Sequence, residues 1–175
     1  MSNGDLWRTP QQVIDYIENR FGEIQLDLCA SEDGHVCKFY LDIGDNFLSD
    51  EALFSMDGAI NLGDLCWMNP PYSNPLPFVQ QAIKWSQAGY AIAGILNNDS
   101  STKWFVELEK NAQLLMPITG GRIAFVGADL QPINGNNKPQ IMFYLAPFGS
   151  HVKATENVNI NDIYPLGKPS KRSKE

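Results

Sequence analysis

Asn69-Pro70-Pro71-Tyr72 is the string in this chain whose residue types could do chemistry without a metal or a strong base. The two prolines remove two backbone donors and fix φ. The carbonyls of Asn69 and Pro70 remain and point in set directions. The Asn69 side chain adds a further acceptor, and Tyr72 adds a flat aromatic face. Acceptors beside a stacking platform match an exocyclic amino group on a planar ring, which offers two N–H donors and a π-face. Such a nitrogen is a poor nucleophile because its lone pair is delocalised into the ring. Two acceptors that hold both hydrogens favour a more tetrahedral nitrogen with an available lone pair, which is electrostatic preorganisation and needs no His, Cys or Ser. The plain alternative is a Pro-Pro turn that ends a strand.

The elements that must position this string are readable from pattern. Thr9-Pro10-Gln11-Gln12 predicts a helix start, with Thr9 as N-cap and Gln12 completing a capping box. Val13, Ile14, Ile17 and Phe21 follow at helical spacing, and Gly22 ends the helix. Ile24 to Leu28 predicts a strand, followed by small residues, Cys29-Ala30-Ser31. Val36 to Leu41 is a second strand candidate, and residues 42–63 read as irregular or weakly helical. Asp64 to Met68 is an apolar strand that must stop at Pro70-Pro71. A helix is predicted from Pro77 to Gln87, and a strand buried on both faces from Tyr90 to Leu96. A helix capped by Ser100 or Ser101 carries Trp104, Phe105 and Leu108, the first two read as core. Leu114 to Met116, Gly121 to Val126 and Gln140 to Ala146 are further strands, the last two joined by a long loop. This rhythm predicts an α/β layered fold with a mostly parallel sheet and an antiparallel C-terminal hairpin. One domain is expected over residues 1–165, with a basic, disordered tail over 166–175 that holds Lys168, Lys171, Arg172 and Lys174.

Bulk properties set bounds. Of 175 residues, 43% are hydrophobic and 19% charged, a composition that supports a packed core. The net charge is −7, and by itself it does not suggest a nucleic-acid partner. Charge acts locally, however, because the Debye length is only about 8 Å at physiological salt. Three cysteines, Cys29, Cys37 and Cys66, form no C-x-x-C pair and read as small buried thiols; no metal site is expected. The first residues lack a basic flank and an apolar run, and no apolar stretch could span a bilayer, so a cytoplasmic location is expected.

Asn69-Pro70-Pro71-Tyr72-Ser73 resembles the catalytic motif of amino-methyltransferases. Trp7-Arg8-Thr9-Pro10, Leu26-Asp27-Leu28-Cys29-Ala30-Ser31, Ser101-Thr102-Lys103-Trp104-Phe105 and Gly121-Arg122-Ile123-Ala124-Phe125 occur in the order seen in phage-type, Dam-like DNA N6-adenine methyltransferases. The resemblance runs from Trp7 to Leu145. It implies a Rossmann-like class I methyltransferase fold, S-adenosylmethionine as donor, DNA as partner, and a phage or prophage setting in a bacterial host. It also implies methylation of the adenine N6 amino group, with the base flipped out of the duplex.

Carried over residue by residue, Asn69, Pro70, Pro71 and Tyr72 are the catalytic set. Trp7, Thr9, Pro10, Asp27, Cys29 and Ala30 would hold the donor's methionine end, where a carboxylate suits an ammonium group. Asp45, Phe47 and Leu48 would grip its adenine ring. Ser73, Lys103 and Arg122 are expected at the DNA. In the loop from Ala128 to Pro139, Asn134, Asn136, Asn137 and Lys138 are candidates for target readout. Two departures stand out. Cys29-Ala30-Ser31 replaces the usual glycine-rich donor loop, and Asn97-Asn98-Asp99 is more polar than the family segment. Two other readings remain open. One is an N-methyltransferase acting on glutamine amides or RNA, which poses the same electronic problem. The other is a non-catalytic nucleic-acid-binding or decoy protein.

Overall fold

The computed structural model describes residues 7–42, 45–56, 58–133 and 136–169. Eight strands form one sheet: β1 (Ile24–Asp27), β2 (Phe39–Tyr40), β3 (Leu65–Met68), β4 (Ala91–Asn97), β5 (Leu114–Thr119), β6 (Gln140–Leu145), β7 (Ala154–Thr155) and β8 (Val158–Asn159). Five helices accompany them: α1 (Gln11–Phe21), α2 (Glu51–Ser55), α3 (Leu76–Gln87), α4 (Lys103–Asn111) and α5 (Ile160–Ile163).

The strand order is β2-β1-β3-β4-β6-β5-β7, with β8 also paired to β5. Pairings β1–β2, β1–β3, β3–β4, β5–β7 and β5–β8 are parallel. Only β6 runs against its neighbours, and it does so on both sides, against β4 and β5. A mixed α/β fold with a mostly parallel sheet fits a Rossmann-like methyltransferase.

Alternation along the strands explains the layers. Cys66 and Met68 of β3 and Ile92 and Leu96 of β4 share one apolar cluster with Val79, Trp85, Trp104 and Leu108 of α3 and α4. Leu65, Trp67, Ala91, Ala93 and Ile95 share the other with Val13, Ile14 and Ile17 of α1 and Ile160 and Ile163 of α5. Side chains of successive strand residues point to opposite faces, so a run that is apolar throughout demands helices on both.

The expected C-terminal hairpin is corrected in part. An antiparallel hairpin exists, but its strands are β5 and β6. Residues 121–126 form no strand, although Ile123, Ala124 and Phe125 are buried. Their backbone groups find other partners: Ile123 N–H donates to the Gln140 side chain, Ala124 N–H to the Tyr164 hydroxyl, and Val126 bridges Arg8. Two caps also differ. Pro10, with an extended φ of −69° and ψ of 147°, stands at the N-cap of α1 and makes no side-chain cap bond. Thr102, and neither Ser100 nor Ser101, caps α4 by accepting from Phe105 N–H. At the other end of α1, Gly22 adopts φ of 102°, a conformation that favours glycine. The expected strand over residues 36–41 shortens to Phe39–Tyr40.

Candidate active site

In an open α/β sheet, ligands bind beyond the carboxyl ends of strands where the strand order reverses. Here that point lies between β1 and β3, since the chain runs from β1 outward to β2 and then crosses to β3 on the other side. Asp27 closes β1 and pairs in register with Trp67 of β3; Asn69 follows that strand directly. The two residues singled out for donor and acceptor therefore lie at the carboxyl ends of adjacent strands.

Asn69 is half-buried, and its side-chain Nδ2 donates to the Trp7 carbonyl oxygen at 3.2 Å. A main-chain carbonyl only accepts, so this bond fixes the amide orientation and leaves Oδ1 as the acceptor that can face a ligand. Pro70 is buried and Pro71 half-buried. The Tyr72 ring meets Phe125 edge-on, with centroids 6.0 Å apart and planes at 78°. Phe125 in turn packs against Trp7, 5.6 Å between centroids. Trp7, Asn69, Tyr72 and Phe125 thus form one continuous group drawn from three separate stretches of sequence. Arg8 and Val126 lock two of those stretches by reciprocal backbone bonds of 2.9 and 3.1 Å. Thr9 and Pro10 follow on the same segment. Phe125 belonged to a recognised motif, yet its place between Trp7 and Tyr72 had no signal in periodicity.

The Tyr72 hydroxyl is buried and has no hydrogen-bond partner among the described residues. Burial raises its pKa far above the ordinary phenol range, so it stays protonated. Tyr72 also borders a small pocket of about 120 Å³, together with Pro75, Leu96, Asn97, Asp99, Thr102 and Trp104. Trp104 is core, as expected, and one side of it lines this pocket.

Asp27 is 3% exposed. Its two carboxylate oxygens accept from Cys29 N–H at 3.2 Å and Val36 N–H at 3.1 Å, which pins the loop after β1. Burial pushes its pKa up to about 6, against the lowering effect of those two bonds. None of the three ion pairs among the described residues includes Asp27. Cys29 and Ala30 lie half-buried behind it. Burial raises all three thiol pKa values, that of Cys37 to about 12, so none is a nucleophile at neutral pH.

The other expected site residues differ in exposure. Phe47 is 3% exposed and packs in the core on Trp85, 5.3 Å between centroids. Asp45 is exposed and exchanges backbone-to-carboxylate bonds with Asp42, while Leu48 is exposed beside them. Asn136 turns inward: its Nδ2 donates to the Ile123 carbonyl and to Gln140 Oε1, and its Oδ1 accepts from Gln140 Nε2. Both ends of its amide are engaged within the loop and with β6. Ser73, Lys103, Arg122, Asn137 and Lys138 are exposed. Lys138 lies close enough to Asp99 to help lower its pKa, behind the larger effect of the bonds from Ser101. Asp99 lines the Tyr72 pocket, and Lys103 lies between two of its lining residues in sequence, Thr102 and Trp104. Asn134 lies outside the described residues, as do Lys171, Arg172 and Lys174 of the basic tail.

A family model described as DNA N-6-adenine-methyltransferase (Dam) matches residues 1–169. The chain belongs to the Dam family. Among curated Dam relatives, the DNA N-6-adenine-methyltransferase of Haemophilus phage HP1 (strain HP1c1) is 39% identical over 155 residues, covering 85% of this chain and 84% of that protein. The DNA N-6-adenine-methyltransferase of Escherichia phage T1 is 33% identical over 186 aligned positions, covering 97% of this chain and 74% of that protein. No solved structure matches this Dam-family chain. Among its described residues no helix is long and apolar enough to cross a membrane.

Proposed function

We propose that this protein is a class I methyltransferase that transfers a methyl group from S-adenosylmethionine to the N6 amino group of adenine in DNA. The observation that carries this reading is the fixed orientation of Asn69. Its Nδ2 is held by Trp7, so its Oδ1 and the Pro70 carbonyl accept the two N6 hydrogens, and Tyr72 stacks on the ring. Holding both hydrogens moves electron density back onto the nitrogen and points its lone pair away from the acceptors. A base inside a duplex cannot reach such a group, so the target must leave the stack.

S-adenosylmethionine fits the residues present. A buried carboxylate raised to about pKa 6, with no ion pair among the described residues, is relieved by a cationic ammonium beside it. The small side chains of Cys29 and Ala30 allow close approach. When bound, the donor supplies an electrophilic methyl group. Asp27, Trp7, Thr9 and Pro10 hold its amino-acid end. Asp45 and Leu48, exposed on either side of the buried Phe47, meet its adenine ring. Lys103, Arg122, Asn137 and Lys138 meet phosphates or base edges, with Ser73 beside the target.

The test is methyl transfer to DNA by the pure protein, read by methylation-sensitive sequencing and by labelled donor. N6-methyladenine in DNA supports the reading. Label that enters protein or RNA instead of DNA would sink it.

A further inference from the structure

The pocket beside Tyr72 holds a second asparagine whose amide is also oriented, in the opposite sense. Asn97 ends β4 and lies directly across the antiparallel ladder from Gln140, the first residue of β6. Gln140 is 1% exposed. Its orientation is fixed because Oε1 accepts from Ile123 N–H at 3.3 Å, and a backbone N–H only donates. Nε2 therefore faces the other way, toward the Lys138 carbonyl at 2.6 Å, Asn136 Oδ1 at 3.1 Å and Asn97 Oδ1 at 3.4 Å. Turning Asn97 over would set its NH₂ against Gln140 Nε2, donor against donor. The Asn97 oxygen thus faces Gln140, at the longest of the three contacts of Nε2, and its NH₂ is turned away from Gln140, while Asn97 itself lines the pocket.

The pocket has the traits of a base site. Its volume of about 120 Å³ is several times the roughly 10–15 Å³ that one water needs, so it can admit a small ligand. Trp104 and Tyr72 give it aromatic walls, and the buried Tyr72 hydroxyl lacks a partner among the described residues. Every purine ring nitrogen without a hydrogen is an acceptor. An NH₂ donor is what reads one.

We propose that Asn97 is a specificity-determining residue that donates to a ring nitrogen of the base held against Tyr72, with Gln140 positioning it. The inference rests on the adenine reading above and deepens it. Asn69 offers oxygen to the exocyclic N–H groups, Asn97 offers N–H to the ring, and adenine carries both.

The test uses the full chain with DNA in which the target adenine is replaced by 1-deaza-, 3-deaza- or 7-deaza-adenine. In the wild type at least one replacement lowers kcat/KM by tenfold or more. Asn97→Ala shrinks that penalty to less than threefold and leaves the other two penalties unchanged. Dividing variant by wild type for each base removes the intrinsic reactivity of the analogues. Asn97→Asp keeps the bond from Gln140 and replaces the NH₂ with an acceptor, so it serves if the alanine variant does not fold. It loses tenfold or more on adenine and the same discrimination. No penalty in the wild type, or a penalty that survives both substitutions, overturns the inference while the functional reading stands. A wild-type protein that transfers nothing to adenine overturns both.

Discussion

Asn69 Nδ2 donates to the main-chain oxygen of Trp7 at 3.2 Å, across 62 residues of sequence. The N-terminal segment thereby decides which end of the Asn69 amide is left as an acceptor. Asn69→Ala removes the acceptor and should lower kcat by about 10²-fold or more, the scale seen when one preorganised polar partner is lost. Donor affinity, measured by calorimetry, should stay within threefold. Asn69→Asp keeps an acceptor but can no longer donate to Trp7, so its activity should fall between the two. An alanine variant with near wild-type turnover would remove Asn69 from the chemistry.

Asp27 predicts two opposite responses to pH. Its folded pKa of about 6 lies above the ordinary 3.8, so between those values the native state binds more protons than the unfolded state. Its contribution to stability therefore declines as pH rises from about 4 to 6, by about 3 kcal/mol in total. Denaturant melts of the wild type and Asp27→Asn should diverge in slope across that window. Donor affinity should move the other way. A cationic ligand needs the ionised carboxylate, so binding should weaken up to tenfold per pH unit below 6. Affinity that is flat from pH 5 to 8 would take Asp27 out of the donor site.

Gly94 sits opposite Met68 in the β3–β4 ladder, just before Asn69. A Cβ at this position would lie 2.6 Å from the Met68 carbonyl oxygen and 2.5 Å from the Phe143 ring. The backbone contact cannot yield as a flexible side chain would. Gly94→Ala should destabilise by about 1–3 kcal/mol through overpacking. It should also lower turnover, because the shifted strand end carries Asn69. Chemical denaturation with parallel rate measurement would show whether the two losses travel together.

Lys138 is exposed and close enough to Asp99 to help lower its pKa, and a phosphate contact there should act without regard to sequence. Lys138→Ala should weaken DNA binding evenly across unrelated duplexes and reduce the slope of log K against log salt by about 1. A loss confined to one sequence would mean base readout instead.

Much of this is legible in the sequence. The β3 strand had to end at Pro70-Pro71 because proline cannot extend a ladder, and it does end at Met68. The continuous apolar run over β4 demanded burial on both faces, and six of its seven residues are buried. What could not be read was pairing. Residues 123–125 are as apolar as a strand and as buried, yet side chains of Gln140 and Tyr164 take the N–H groups of Ile123 and Ala124, and the backbone of Arg8 pairs with the next residue, Val126. Burial leaves a mark on local sequence; the identity of a hydrogen-bond partner 17 or 40 residues away does not. Asn136 and Phe47 fall in the same class. An asparagine in a polar loop and an aromatic after a turn look available until the residues that enclose them are placed.

The position of β6 governs how the molecule can be made. In the sheet β5 reaches β4 only through β6, which is also its antiparallel partner. A ribosome delivers β5 well before β6, so β4 and β5 wait with open edges until residues 140–145 emerge. Open edges are where chains join their neighbours. Synthesis of this chain therefore has a vulnerable interval that closes late, when Gln140 leads the last long strand into the gap.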